Sequence, residues 1–111
     1  IVPKSGFYDY SNKYQPGAAT EVCPSRIPQK WEQDVGSAAL AVFRAIGLSV
    51  YARADFIVAS DGTPYFLEIN TLPGMTPTSL VPQEAAAVGL DYGKLCETII
   101  QISLEARKER L

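Results

Sequence analysis

Residues 50–70 read VYARADFIVASDGTPYFLEIN, and the folding of this stretch decides the rest of the chain. Two apolar, β-branched and aromatic runs, 53–58 and 65–70, flank Ser60-Asp61-Gly62-Thr63. Asp-Gly is the strongest short hairpin signal, because both residues tolerate positive φ. The stretch is therefore expected as a β-hairpin with Asp61 and Gly62 as a two-residue loop. That register sets Asp55 opposite Glu68 and Arg53 opposite Asn70. Side chains alternate across a strand, so these four project from one face. Phe56, Val58, Tyr65, Leu67 and Ile69 are expected on the other face, toward a core.

Two carboxylates directly opposite each other destabilise a sheet unless something offsets their charge. Arg53 offsets it in part. A hard cation does so better, and two carboxylates with an amide oxygen form a donor set suited to Mg²⁺. The competing reading is a solvated sheet face with an ordinary Arg–Asp–Glu network. The pattern alone leaves both open.

The 111 residues suit one small domain with one core, and 47% apolar content is that of a globular chain. A net charge of −2 argues against nucleic-acid or membrane-surface binding through bulk electrostatics. No apolar run approaches the ~20 residues of a transmembrane helix, and no secretory signal pattern is present. The opening IVPKSG lacks Met and resembles the tail of a strand, as in a piece of a longer protein. Cys23 and Cys96 have no metal-ligand spacing and are expected as reduced core residues of a cytoplasmic protein. The chain contains no His, which excludes His-based catalysis and most zinc sites within it.

Residues 5–19, SGFYDYSNKYQPGAA, have neither helical nor strand periodicity and read as a long surface loop. Such loops are often lids. Tyr8, Tyr10, Tyr14 and Lys13 offer it hydrogen bonds and one positive charge, although a plain loop with packed tyrosines fits the pattern equally well. Thr20–Cys23 is a short strand candidate. Pro28 suits the first turn of a helix over 28–46, in which Trp31, Val35, Ala38, Ala39, Val42, Phe43 and Ile46 recur at helical spacing. Gly47 suits its stop. The stripe is expected to cover the apolar side of the hairpin, with Trp31 in the core.

After the hairpin, TLPGMTPTS (71–79) precludes regular structure with its two prolines and glycine. Gly74 permits close backbone approach. Ser79 precedes a short helix with Pro82 in its opening turn and Gly89 as its stop. The N–H groups at such a helix start attract carboxylate or phosphate, while a simple cap role for Ser79 remains the plainer option. Asp91 is expected to cap a final helix whose buried side is Tyr92, Leu95, Cys96, Ile99, Ile100 and Ser103. Its end, EARKERL, reads as a solvated tip.

Taken in order, FYDYSNKY, then Arg53-Ala54-Asp55, then LEINTLPGMTPTSLVP resemble the C-terminal part of the D-alanine–D-alanine ligases, in the ATP-grasp superfamily. The likeness runs from about Gly6 to about Ile102. It implies an α+β fold: an antiparallel sheet packed against helices, forming the C-terminal half of an ATP-grasp fold. Residues 1–111 would be that subdomain of a longer protein, with 5–19 its lid loop. The order and spacing of the three motifs favour the metal reading over the solvated face.

The family transfers the γ-phosphoryl group of ATP to the carboxylate of one D-alanine. The amine of a second D-alanine then attacks the acyl phosphate, giving D-alanyl-D-alanine for peptidoglycan precursors. On that resemblance Asp55, Glu68 and Asn70 match magnesium ligands, with Mn²⁺ an alternative ion. Arg53 matches the arginine on the transferred phosphoryl group, and Gly74 the backbone donor to the oxyanion. Ser79 and Leu80 match the binding site for the second D-alanine carboxylate. Lys13 matches a phosphate contact and Tyr14 a lid residue that favours the dipeptide product. A bacterial cytoplasmic homodimer as the full-length enzyme is also implied. The N-terminal and most of the central domain of the family have no counterpart here, so the 111 residues alone are expected to be inactive. Ligases for D-serine or D-lactate, and a noncatalytic ATP- or metal-binding module, are the alternatives.

Overall fold

In the computed structural model, residues 1–3 and 19–110 are described. Of the loop expected over 5–19, residues 5–18, with Lys13 and Tyr14, lie outside the described residues, and Ala19 stands in a strand. In chain order the elements are β1 (Val2–Pro3), β2 (Ala19–Thr20), α1 (Gln29–Ile46), β3 (Arg53–Val58), β4 (Pro64–Asn70), α2 (Leu80–Ala87) and α3 (Tyr92–Arg110). The strands form two separate antiparallel pairs, β1–β2 and β3–β4. The strand expected over Thr20–Cys23 is displaced: β2 ends at Thr20, and Cys23 is exposed rather than in a core. Cys96 is half-buried, and both cysteines are free.

The 50–70 hairpin forms, but by a different route. Ala59 and Thr63 close the turn, with the Ala59 N–H donating to the Thr63 carbonyl at 2.9 Å. Three residues, Ser60–Gly62, therefore make the loop, and Gly62 takes φ +91. Asp61 Oδ1 accepts the Thr63 N–H at 2.9 Å, which holds its carboxyl below the usual carboxylate range. The pairs nearest the turn are Val58 with Pro64, Ile57 with Tyr65 and Phe56 with Phe66. A bulge between Asp55 and Phe56 then absorbs one extra residue, Leu67, and restores Asp55 opposite Glu68 and Arg53 opposite Asn70. The expected pairs at the charged end are correct, while the face beyond the bulge is not. Tyr65 sits opposite Ile57, and Leu67 is 56% exposed. Phe66 instead meets Phe56 edge-on, with ring centroids 5.6 Å apart.

Pro28 stands just before α1 rather than in its first turn, and its carbonyl accepts from the N–H groups of Trp31 and Glu32. At the other end Gly47, at φ +79, donates to the Arg44 carbonyl while Leu48 donates to that of Phe43. The stripe from Trp31 to Phe43 is half-buried, whereas Ile46 is 54% exposed. α1 packs on both strands of the hairpin. The Trp31 indole lies on the turn: a Cβ at Gly62 would come within 2.4 Å of Trp31 Nε1.

α3 lies against α2. Asp91 caps it, its Oδ1 accepting the Lys94 N–H at 2.8 Å. Leu95 is buried, but Ile100 is 60% exposed, so the expected buried stripe covers only the first turns.

Candidate functional site

The charged face of the hairpin holds the first group of candidates. Arg53 is 19% exposed and Asp55 30%, and their contact is two-pronged. Arg53 Nε donates to Asp55 Oδ1 at 2.9 Å, and a terminal nitrogen donates to Oδ2 at 3.2 Å. This fork geometry is the strong form of an Arg–carboxylate pair. The same terminal nitrogen stands 4.0 Å from Glu68 Oε1. Hydrogen bonding to Asp55, opposed by burial, raises the Arg53 guanidinium above its ordinary range.

Asn70 faces Arg53 across the strands, and its Oδ1 accepts the Leu72 N–H at 2.9 Å. That bond fixes the amide with oxygen inward to the following turn and leaves the oxygen a second lone pair. Among the described residues no three His, Cys, Asp or Glu side chains converge as a metal cluster. A candidate cation site therefore rests on two carboxylates and one amide oxygen. All three are hard oxygen donors, and the facing pair Asp55–Glu68 carries more negative charge than Arg53 alone neutralises. The donor chemistry fits Mg²⁺.

The second group lies in the loop between β4 and α2. Ser79 stands at the N-cap of α2, yet its side chain makes no cap bond. Instead Ser79 Oγ accepts the Thr76 N–H at 3.1 Å and shares a hydrogen bond with Thr76 Oγ1 at 2.6 Å. Gly74 is beside it: a Cβ there would lie 3.1 Å from Ser79 Oγ. A side chain at position 74 would thus crowd the hydroxyl. Leu80 opens α2, where helix geometry leaves the first N–H groups without intrahelical partners.

Glu84, on α2, links the two groups and was not legible in the sequence. Desolvation raises its carboxyl above the ordinary range, Arg53 pulls it down, and Asp55 pushes it up. Glu84 is thus within electrostatic reach of Arg53 and Asp55. No periodicity or motif marks Glu84, since a lone acid in an Ala-rich helix looks like a solvated position. Gln83 is a second residue the pattern did not mark. Its side chain bonds Glu21, just past β2, and the Thr78 carbonyl. Lys13 and Tyr14 lie outside the described residues, so they are not part of this geometry.

Residues 1–101 match the family described as D-ala D-ala ligase C-terminus. A D-alanine–D-alanine ligase of Nitratidesulfovibrio vulgaris strain DP4 is 50% identical over 107 residues, covering 96% of this chain and 35% of that protein. One from Anaeromyxobacter sp. strain K is 54% identical over 100 residues, covering 90% and 32%. Among solved structures, D-alanine–D-alanine ligase from Bacillus anthracis complexed with ATP matches with a TM-score of 0.72 at 48% identity, over 77% of this chain and 30% of that one. The VanG D-Ala:D-Ser ligase from Enterococcus faecalis matches with a TM-score of 0.75 at 31% identity, over 89% and 29%. The chain spans about a third of the length of the curated relatives it matches.

Proposed function

Because the chain belongs to the D-ala D-ala ligase C-terminus family and has the matching part of an ATP-grasp fold, we propose that it carries the phosphoryl and second-substrate side of an ATP-dependent ligase joining two D-alanines. The observation that supports this most is the juxtaposition of Asp55, Glu68 and Arg53 on one hairpin face.

In the proposed reaction the γ-phosphoryl group of ATP passes to the carboxylate of the first D-alanine. The amine of the second attacks that carbonyl carbon, the acyl–oxygen bond breaks, and phosphate leaves with a proton released. Asp55, Glu68 and Asn70 would hold Mg²⁺, or Mn²⁺, which when bound supplies charge neutralisation to the nucleotide phosphates. Arg53 holds the transferred phosphoryl group through its planar fork, already oriented by Asp55. The Gly74 N–H donates to the oxyanion. The Ser79 hydroxyl and the Leu80 N–H receive the carboxylate of the second D-alanine. By the family resemblance Lys13 would contact phosphate and Tyr14 would belong to the loop that keeps water from the acyl phosphate.

The product serves peptidoglycan synthesis in the bacterial cytoplasm, and the full-length enzyme works as a homodimer. A D-serine-using relative shares the fold at 31% identity, below the 48% of the D-alanine ligase complexed with ATP, which favours the dipeptide of D-alanine.

The test is Glu68→Gln in the full-length protein, which keeps the side-chain shape and removes one facing charge. Ligation is expected to fall at least about 100-fold, with weaker Mg²⁺-dependent ATP binding by calorimetry. Unchanged ligation and binding with raised stability would make the pair a solvated sheet face under like-charge strain, and the assignment would fail.

A further inference from the structure

The loop bearing Gly74 and Ser79 is gripped from outside by two side chains. The Gln83 side-chain nitrogen donates to the Thr78 carbonyl at 2.7 Å and to Glu21 Oε2 at 2.7 Å. Tyr92 Oη donates to the Met75 carbonyl. Inside the loop the Ser79 N–H donates to the Thr76 carbonyl at 2.9 Å, and Ser79 Oγ accepts from Thr76 N–H.

A carboxylate only accepts, so Glu21 requires the NH₂ side of the Gln83 amide to face it. One hydrogen then serves Glu21 and the other the Thr78 carbonyl. Thr78 is the residue immediately before Ser79, so its carbonyl belongs to the Thr78–Ser79 peptide plane. Fixing that carbonyl fixes where the Ser79 side chain starts and how the first N–H groups of α2 point. The anchor, Glu21, comes from a part of the chain 62 residues away, next to the β1–β2 ribbon.

We propose that Gln83, aligned by Glu21, is a positioning residue for the second substrate, holding the Thr78–Ser79 peptide so that the Ser79 hydroxyl and the Leu80 N–H converge on its carboxylate. This rests on the ligase reading above. Neither Gln83 nor Glu21 touches substrate in this scheme. Their effect is on affinity for one substrate, not on phosphoryl transfer.

The experiment uses the full-length protein with Gln83→Leu, and with the exchange pair Glu21→Gln plus Gln83→Glu. For Gln83→Leu, KM for the second D-alanine should rise roughly 5- to 20-fold, the size of one or two lost hydrogen bonds. KM for ATP and kcat at saturating D-alanine should stay within about twofold of wild type. Amide hydrogen exchange at Thr76 and Ser79 should quicken by a similar factor. The exchange pair rebuilds the 21–83 bond but turns an acceptor toward the Thr78 carbonyl, so KM should remain high. If wild type ligates and Gln83→Leu leaves the second-substrate KM unchanged, or shifts KM for ATP equally, the inference falls and the ligase reading stands. Restored KM in the exchange pair would also overturn it, because the 21–83 tether alone would then suffice. A wild-type protein that makes no D-alanyl-D-alanine would overturn the ligase reading, and this inference with it.

Discussion

Arg53 commits two nitrogens to one carboxylate and stands only at ion-pair distance from a second. The asymmetry follows from the strand: Asp55 is two residues along the same face, whereas Glu68 is reached across the pair. Glu84, an exposed residue, adds a third acid within electrostatic reach of a single guanidinium, and its partial desolvation outweighs the pull of Arg53. A carboxyl whose pKa is raised on folding binds more protons in the native than in the unfolded state. Stability therefore falls as pH rises from the unfolded value, 4.5, through the raised one, and the penalty is fully present above both. Glu84→Gln is expected to stabilise the protein at neutral pH, with the gain vanishing as pH drops below the usual carboxylate range. Denaturant melts of both forms across that range check it; a variant less stable than wild type at pH 7 would mean that attraction to Arg53 dominates. In the sequence, Arg53, Asp55, Glu68 and Asn70 were legible because alternation along a strand is rigid. Glu84 and Gln83 were not, because their charged partners, Arg53 and Asp55 for the one and Glu21 for the other, are distant in sequence.

The hairpin shows how a correct register can follow from an incorrect turn. Asp-Gly pointed to a two-residue loop, and the chain uses three. Taken alone, that slip would have carried Glu68 off its station opposite Asp55. The bulge at Leu67 reverses it within two residues of the site. Strand type, turn location and the charged pairs were therefore visible, while the positions of Tyr65, Phe66 and Leu67 were not, since nothing in a residue pattern marks an unpaired strand residue. Gly62 is the position at which turn and helix depend on each other. It takes positive φ and lies under the Trp31 ring, so Gly62→Ala meets both a backbone penalty and a clash. The expected loss is about 2–4 kcal/mol, measured by urea melts. A loss below about 1 kcal/mol would mean that α1 shifts freely on the hairpin. Ser79, by contrast, was weighed as a cap and turned out to face its own loop, which leaves the hydroxyl near Gly74 rather than on the helix.

Across the whole molecule the core is thin. Among the described residues Leu95, Pro73, Pro82 and Gly62 are buried, while Leu72, Val88, Ile100 and Leu104 are more than half exposed. The radius of gyration is 15.3 Å, against roughly 13 Å for a compact domain of this length. Among the described residues the expected single closed core is not seen, and composition alone could not reveal it, because apolar content does not say what it packs against. The isolated chain is expected to bind a hydrophobic dye, to melt broadly and to form no D-alanyl-D-alanine above background. A sharp calorimetric transition, or dipeptide formed by the pure 111 residues, would contradict this. α1 packs with its hairpin and α2 packs with α3, which makes two packing units among the described residues. Trp31 is the sole tryptophan, and it rests on the hairpin turn. Its fluorescence is therefore a native optical gauge of the first unit alone, while helical circular dichroism averages over both. Diverging thermal curves from the two signals would reveal that the units come apart one at a time.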